Sequence, residues 1–429
     1  MSSGVRVTTL ANGMRVATDP MGWVETASVG VWIEAGSRHE TPTASGVSHF
    51  LEHMVFKGTR HRSARAIAEE IETVGGHLNA HTSREYTAFY AKVLKDDVAL
   101  AIDIIADILQ DATLDAEELG RERTVIMQEI MQAQDTPDDI IFDRFQETAF
   151  PGQALGRPVL GAPESIEAMS REVLAGYMCR HYGAPRMILA AAGRVEHEAM
   201  VELATRAFDR LPPTVAAERE PGLYAGGEFR EERDLEQVHV VLGLPGAGYR
   251  DPDFYPLSVL STLLGGGMSS RLFQEVREKR GLVYSIYSFP SSYTDTGLFG
   301  VYAGTGESEV AEVVPLICDE LRRAAGDVAD AEISRARAQI KAAMLMALES
   351  TSARCEQLAR QLMIFDRPVP VAETIGRIEA VDRAAVVGAA QRLLAGKPTL
   401  AALGPICNVA RHADVASALQ SPKKAALVE

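Results

Sequence analysis

The order of elements written into this chain recurs, and that recurrence limits the fold more than any other feature. Val5 to Leu10 and Met14 to Thr18 read as strands around the turn Ala11-Asn12-Gly13, a hairpin signal, and Ala27 to Glu34 reads as a further strand. A helix closing at Gly58, a helix from Ser63 to Val74, and strands around Leu78 and Tyr90 follow. Helical patterns then run through Val98 to Leu109, Asp115 to Met131 and Asp139 to Thr148, before a strand at Met187 to Ala192 and a helix reaching Arg210. Beyond Leu211-Pro212-Pro213 the periodic apolar residues give way to Pro, Gly and charge as far as Gly226-Gly227. The order then starts again, with strands near Phe229 and Val238 to Leu244, helices at Tyr255 to Leu264 and Ser270 to Arg280, strands at Val283 to Pro290 and Leu298 to Ala303, and long helices. A chain of 429 residues is too long for one ordinary core. The expectation is an α+β protein of two similar domains from an internal duplication, 1–211 and 228–429 joined by a linker at 212–227, each a mainly antiparallel sheet packed by helices.

Chemistry concentrates in the first copy, in His49-Phe50-Leu51-Glu52-His53. At about 100° per residue, with His49 at 0°, His53 falls near ~40° and Glu52 near about −60°. Val47, Phe50, Leu51, Met54 and Val55 project to the opposite side. One helix can therefore bury its apolar face and offer two imidazoles and a carboxylate to a metal ion. The order is the inverse of His-Glu-x-x-His, with similar reach. By itself such a short pattern also arises by chance, as two ordinary helical histidines. The second copy's first helix, beginning Tyr255-Pro256-Leu257-Ser258, has no histidine and cannot repeat the site.

Catalytic zinc takes three protein ligands and keeps a fourth position for water, so one ligand is missing from this motif. Asp115 followed by Glu118 reads as the capped start of a helix in which Glu122 and Glu129 lie seven residues apart. They point the same way, about 10 Å apart along the axis. One can bind metal while the other supports it. The bland alternative is a pair of solvated carboxylates on an acidic helix.

His49-x-x-Glu52-His53 followed by Glu122-Arg123-x-Val125-Ile126-x-x-Glu129 resembles the pitrilysin-type, or M16, zinc peptidases, which include the mitochondrial processing peptidase and its bacterial relatives. The resemblance implies that His49, His53 and Glu129 hold one Zn2+ per chain, that Glu52 is the general base, and that Glu122 is a supporting carboxylate. Gly265-Gly266-Gly267 through Arg277 and Tyr284 is similar to the family's glycine-rich segment with its Arg and Tyr, which implies that Arg277 and Tyr284 reach substrate from the other domain, in a clamshell-like arrangement. Gly76-His77-Leu78-Asn79-Ala80-His81-Thr82 reads as a strand, and the resemblance implies that Leu78, Asn79, Ala80, His81 and Thr82 form the edge onto which substrate adds as an extra strand. His77 and His81 are assigned to this strand rather than to metal.

Composition agrees, at 46% hydrophobic and 24% charged residues, with a globular protein. No apolar run reaches membrane-spanning length, and Met1-Ser2-Ser3-Gly4-Val5-Arg6 has no apolar signal core. The expected compartment is a bacterial cytoplasm, with a mitochondrial matrix as the alternative. Four scattered cysteines suggest no disulfide framework. A formal charge of −16 excludes nucleic acid as a natural partner and permits a preference for basic peptides. The expected function is a zinc endopeptidase acting on short or unfolded peptides. Because one chain carries both the zinc motif and the Arg/Tyr pair, a homodimer is expected, with a heterodimer with an inactive homologue as the alternative. The competing functional reading is a non-catalytic structural subunit of the same family; a metal-dependent hydrolase of other substrates is a third.

Overall fold

A computed structural model describes residues 4–213 and 219–420. Residues 214–218, inside the expected linker, lie outside the described residues. The chain divides into two compact units, the first made of 1–132, 157–220 and 345–370, the second of 133–156, 221–344 and 371–429. Neither unit is contiguous in sequence, whereas the sequence reading cut the chain into 1–211 and 228–429. The reason lies in which helix covers the outer face of each sheet.

The strands of the first unit are β1 (Arg6–Thr9), β2 (Arg15–Pro20), β3 (Thr26–Ile33), β4 (His77–Thr82), β5 (Thr87–Leu94) and β6 (Met187–Gly193). They form one sheet in the order β1-β2-β6-β3-β5-β4. All neighbours are antiparallel except β2 and β6. The expected hairpin opens the sheet: Gly13, at φ +91, makes the turn, and Leu10 N–H bonds Met14 O at 2.8 Å. Strand alternation then sorts β3, with Val29, Val31 and Ile33 on one face and Trp32 on the other.

The inner face packs against helix Val47–Val55, helix Val98–Asp111 and their neighbours, burying Phe50, Leu51, Met54, Ile102, Ile105 and Phe89 in one core. The outer face exposes Trp32, Ala17, Ile188 and Ala190, which need a cover. Helix Thr351–Phe365 supplies it through Cys355, Leu358, Ala359 and Leu362. Ser28 Oγ meets Thr351 Oγ1 at 2.9 Å, and Arg354 pairs with Asp19 at 2.9 Å, which fixes where that helix lies.

The second unit repeats the plan with β7 (Gly227–Glu232), β8 (Val238–Pro245), β9 (Val283–Ser292), β10 (Gly297–Thr305) and β11 (Thr399–Gly404), in the order β7-β11-β8-β10-β9. Its one parallel pair, β7 with β11, sits where β2 and β6 pair in the first sheet. The order matches β2-β6-β3-β5-β4, so the duplication is visible strand by strand, and only β1 has no counterpart. Its outer face is covered by helix Pro137–Ala149, with Ile141, Phe145 and Ala149 against Val241, Ala401 and Leu403. Gly243 is bare because a Cβ there would stand 2.2 Å from the Phe145 ring. Each unit thus takes a helix from outside its main run of sequence, which is why contiguous halves do not describe the chain. Among the described residues no helix is long and apolar enough to cross a membrane.

Candidate metal centre

Helix Val47–Val55 behaves as its periodicity requires: Val47, Phe50, Leu51, Met54 and Val55 are fully buried, and His49, Glu52 and His53 lie on the half-exposed side. The two imidazoles sit edge to face with centroids 4.6 Å apart. Helix Ala116–Gln134 brings the acidic groups alongside, and Asp115 caps it by accepting from Glu117 N–H at 2.9 Å and Glu118 N–H at 3.2 Å.

His49 Nε2 and His53 Nε2 stand 3.6 and 3.7 Å from Glu129 Oε2. Those separations are too long for hydrogen bonds. They are close to the ~3.3 Å expected between ligands that surround one zinc ion tetrahedrally at about 2.0–2.1 Å. Glu129 Oε2 is buried and has no hydrogen-bond partner. An orphaned carboxylate oxygen facing two imidazole nitrogens is what a cation site looks like, and the three residues fit zinc in donor type and number.

Glu122 does not enter this triad. Its Oε2 lies 3.0 Å from His53 Nδ1 and its Oε1 2.7 Å from Lys57 Nζ. A carboxylate accepts only, so Nδ1 must carry the proton and Nε2 keeps its lone pair for the ion. Burial pushes the Glu122 carboxyl up, but its hydrogen bonds to Lys57 and His53 outweigh that and hold it below the usual range. Burial, and then the neighbouring His53, push His49 down to about 4, so its imidazole is neutral and available.

Glu52 points beside the triad rather than into it. Its Oε2 accepts from the Thr82 hydroxyl at 2.6 Å. Burial raises its pKa above the ordinary carboxylate value, partly opposed by the Thr82 bond. Thr82 ends β4, the edge strand, so the carboxylate stands at the end of a sheet edge that no further strand of the sheet covers. Along that edge Ala80 N–H bonds the Asn79 side chain at 2.8 Å rather than β5. With a two-residue period, Leu78 and Thr82 turn their N–H groups the same way. Among the described residues His77 and His81 join no metal triad; His81 packs edge-on against Tyr86 and Tyr90.

In the second unit, the helix expected from Ser270 to Arg280 is wound as a π-helix over Phe273–Glu278, with Lys279 N–H bonding Gln274 O at 3.0 Å. Such turns concentrate at functional sites. Arg277 lies in it, its guanidinium 4.9 Å from the Phe273 ring centroid and 5.6 Å from that of Tyr284. Tyr284 is 76% exposed on β9, the edge of its own sheet.

The sequence reading missed Lys57, although it lies four residues after His53, a spacing that flags a shared helical side. It also missed that Thr82 bonds Glu52, a contact between distant segments with no local signal.

Comparison with known proteins bears on the same segments. Residues 15–163 match the family model described as insulinase (peptidase family M16), and residues 168–340 match that of the M16 inactive domain. The chain is 40% identical, over 94% of its length and 90% of the other, to an uncharacterized zinc protease of Streptomyces coelicolor. It is 42% identical to a protein of Arabidopsis thaliana named a probable mitochondrial-processing peptidase subunit beta, over 94% of this chain and 78% of that one. A solved protease from Helicobacter pylori shares the fold with a TM-score of 0.86 at 23% identity, over 94% of this chain and 99% of that one.

Proposed function

Because this chain belongs to the M16 peptidase family, we propose that it is a zinc-dependent endopeptidase of short or unfolded peptides. The observation that carries the reading is the convergence of His49 Nε2, His53 Nε2 and Glu129 Oε2 around a point where that carboxylate oxygen has no hydrogen-bond partner. His49, His53 and Glu129 would hold the ion. Zinc, when bound, supplies a Lewis acid and brings water towards ionisation near neutral pH.

The chain's own groups do the rest. Glu52 accepts the proton of the attacking water on its carboxylate and delivers it to the leaving amine; its raised pKa suits a group that must both take and give. The β4 edge binds an extended backbone through ladder hydrogen bonds, which selects unfolded segments over folded ones. Arg277 and Tyr284 are assigned to steadying the substrate carbonyl, Tyr284 as the hydroxyl donor. A net charge of −16 favours basic peptides. One chain that carries both sets of residues is sufficient as a homodimer, a point for light scattering to decide.

The test compares wild type with Glu52→Gln for zinc content and for cleavage of a quenched basic peptide. Both should carry one zinc per chain, with kcat of the variant lower by roughly 10²–10⁴. A wild-type protein that holds zinc and cleaves nothing in a broad peptide panel ends the peptidase reading and favours a non-catalytic partner subunit.

A further inference from the structure

We propose that Glu40 is a positioning residue for the metal centre, a detached cap that sets the rotation of helix Val47–Val55 and hence the aim of His49, Glu52 and His53. The inference rests on the zinc reading above and adds to it a residue outside the ligand set.

The start of this helix is unusual. Its cap position is Gly46, at φ +89 and with no side chain to satisfy the first N–H groups. No larger residue fits: a Cβ on Gly46 would stand 2.7 Å from Leu160 O and 2.8 Å from Gly161 Cα. The bond that a Ser or Asp cap would make to Ser48 N–H comes instead from six residues upstream, together with a bond to the cap residue's own N–H. Glu40 Oε2 accepts from Gly46 N–H at 2.7 Å, and Oε1 accepts from Ser48 N–H at 2.9 Å.

Glu40 is 5% exposed, and no cation lies within ion-pair distance of it among the described residues. Arg157 donates to its backbone carbonyl, and its charge acts on the carboxylate from beyond ion-pair distance. A buried carboxylate with no contacting cation is costly, so its retention needs a reason that general packing does not supply. Two oxygens on two N–H groups of one helical turn supply one. Apolar burial of Val47, Phe50, Leu51, Met54 and Val55 chooses the buried face but is non-directional and tolerates small rotations. A two-pronged acceptor does not. An imidazole Nε2 stands about 7 Å from the helix axis, so a rotation of roughly 10° moves it by ~1 Å, half a metal–ligand bond.

Ser48 adjoins His49, and its hydroxyl donates to Tyr177 Oη at 2.9 Å, which donates in turn to Gly36 O at 3.2 Å. The segment carrying Glu40 is itself tied to the turn after β4: Ser37 N–H bonds Ser83 O at 3.1 Å and Arg38 N–H bonds Arg84 O at 2.8 Å. Glu40 therefore fixes the metal helix against the strand whose Thr82 holds Glu52. It touches neither ion nor substrate.

The experiment measures zinc affinity of the apo-protein by chelator competition, and the absorption spectrum of the cobalt-substituted protein, for wild type, Glu40→Gln and Ser63→Ala. Gln keeps one acceptor and puts an NH2 against an N–H donor. Ser63 caps helix Ala64–Thr73, which carries none of the candidate ligands, by accepting from Ala66 N–H at 3.1 Å, and controls for a lost cap. Glu40→Gln should bind zinc at least tenfold more weakly, with an altered cobalt spectrum and a lower kcat at unchanged KM, while Ser63→Ala stays within twofold of wild type. If Glu40→Gln yields no folded protein, Glu40→Asp, too short for both donors, takes its place in the same measurements. A folded Glu40 variant with wild-type zinc affinity and cobalt spectrum overturns the inference and leaves the zinc reading standing. A wild-type protein that binds no zinc overturns both.

Discussion

At the scale of single residues, the carboxylate behind His53 makes the sharpest demand. Glu122 must accept from Lys57 on one oxygen and from His53 Nδ1–H on the other. Glu122→Gln can satisfy only one of them. Turning its carbonyl to Lys57 puts an NH2 against Nδ1 and drives the ring proton to Nε2, the atom facing Glu129. Turning it to His53 leaves Lys57 facing a donor. Zinc affinity should fall about 10–100-fold with the fold intact, measured by chelator titration of the apo-protein. An unchanged affinity would mean that Glu122 only neutralises Lys57. The candidate metal group was legible because helical spacing puts His49 and His53 on one side of their helix and Glu122 and Glu129 on one side of theirs. Glu40 was not, because its partners are backbone N–H groups, which carry no sequence signature. The resemblance named Glu122 as a supporting carboxylate, but its double engagement needs the fold of Lys57.

At the scale of elements, β4 is the strand whose position matters most. If peptide adds to its free edge, hydrogen bonds alternate along the substrate backbone. N-methylation at successive substrate positions should then raise KM roughly tenfold at every second residue and leave those between nearly unaffected. A flat profile would deny strand addition. A second element carries its own test, helix Val310–Ala324. Its Glu320 is 3% exposed, one oxygen bonded to Arg323 and the other without a partner, and Arg271 and Glu275 also face it. Burial raises its pKa above the carboxylate value of 4.5, with Arg323 and Arg271 opposing. A raised folded value means that its contribution to stability is complete below 4.5 and lost as pH rises through the folded value. Tm should decline over that window, and Glu320→Gln should flatten the decline; an unchanged slope in a thermal melt series would exclude Glu320 as its source. Strand and helix positions were mostly readable from periodicity, but β11, the helices Pro163–Ala168 and Arg171–His181, and the π-helical winding around Arg277 were not. Fully buried β11 has no alternation to show, and a π-turn depends on backbone bonds rather than on side-chain pattern.

At the scale of the whole chain, the duplication was legible and the interleaving was not, because element order says nothing about which helix covers which sheet face. The two sheets share their order and their single parallel pair, and in each a helix packs on the edge strand. The second unit's first helix, Phe254–Gly265, has no histidine, so among the described residues the shared scaffold carries the candidate His49–His53–Glu129 group once. The interleaving has a direct consequence for truncation. Helix Thr351–Phe365 buries Trp32, Ile188, Leu358 and Leu362, each worth about 1.5–3 kcal/mol when taken out of water. Together these are comparable with the whole net stability of a domain, about 5–15 kcal/mol. Residues 1–211 alone, although they hold every expected zinc ligand, should bind a hydrophobic dye, melt without cooperativity and bind zinc weakly. Appending residues 345–370 through a flexible tether should restore cooperative melting and tight zinc binding, because the outer sheet face regains its cover. If 1–211 alone melts cooperatively and binds zinc as the full chain does, helix Thr351–Phe365 is not a structural part of the first unit.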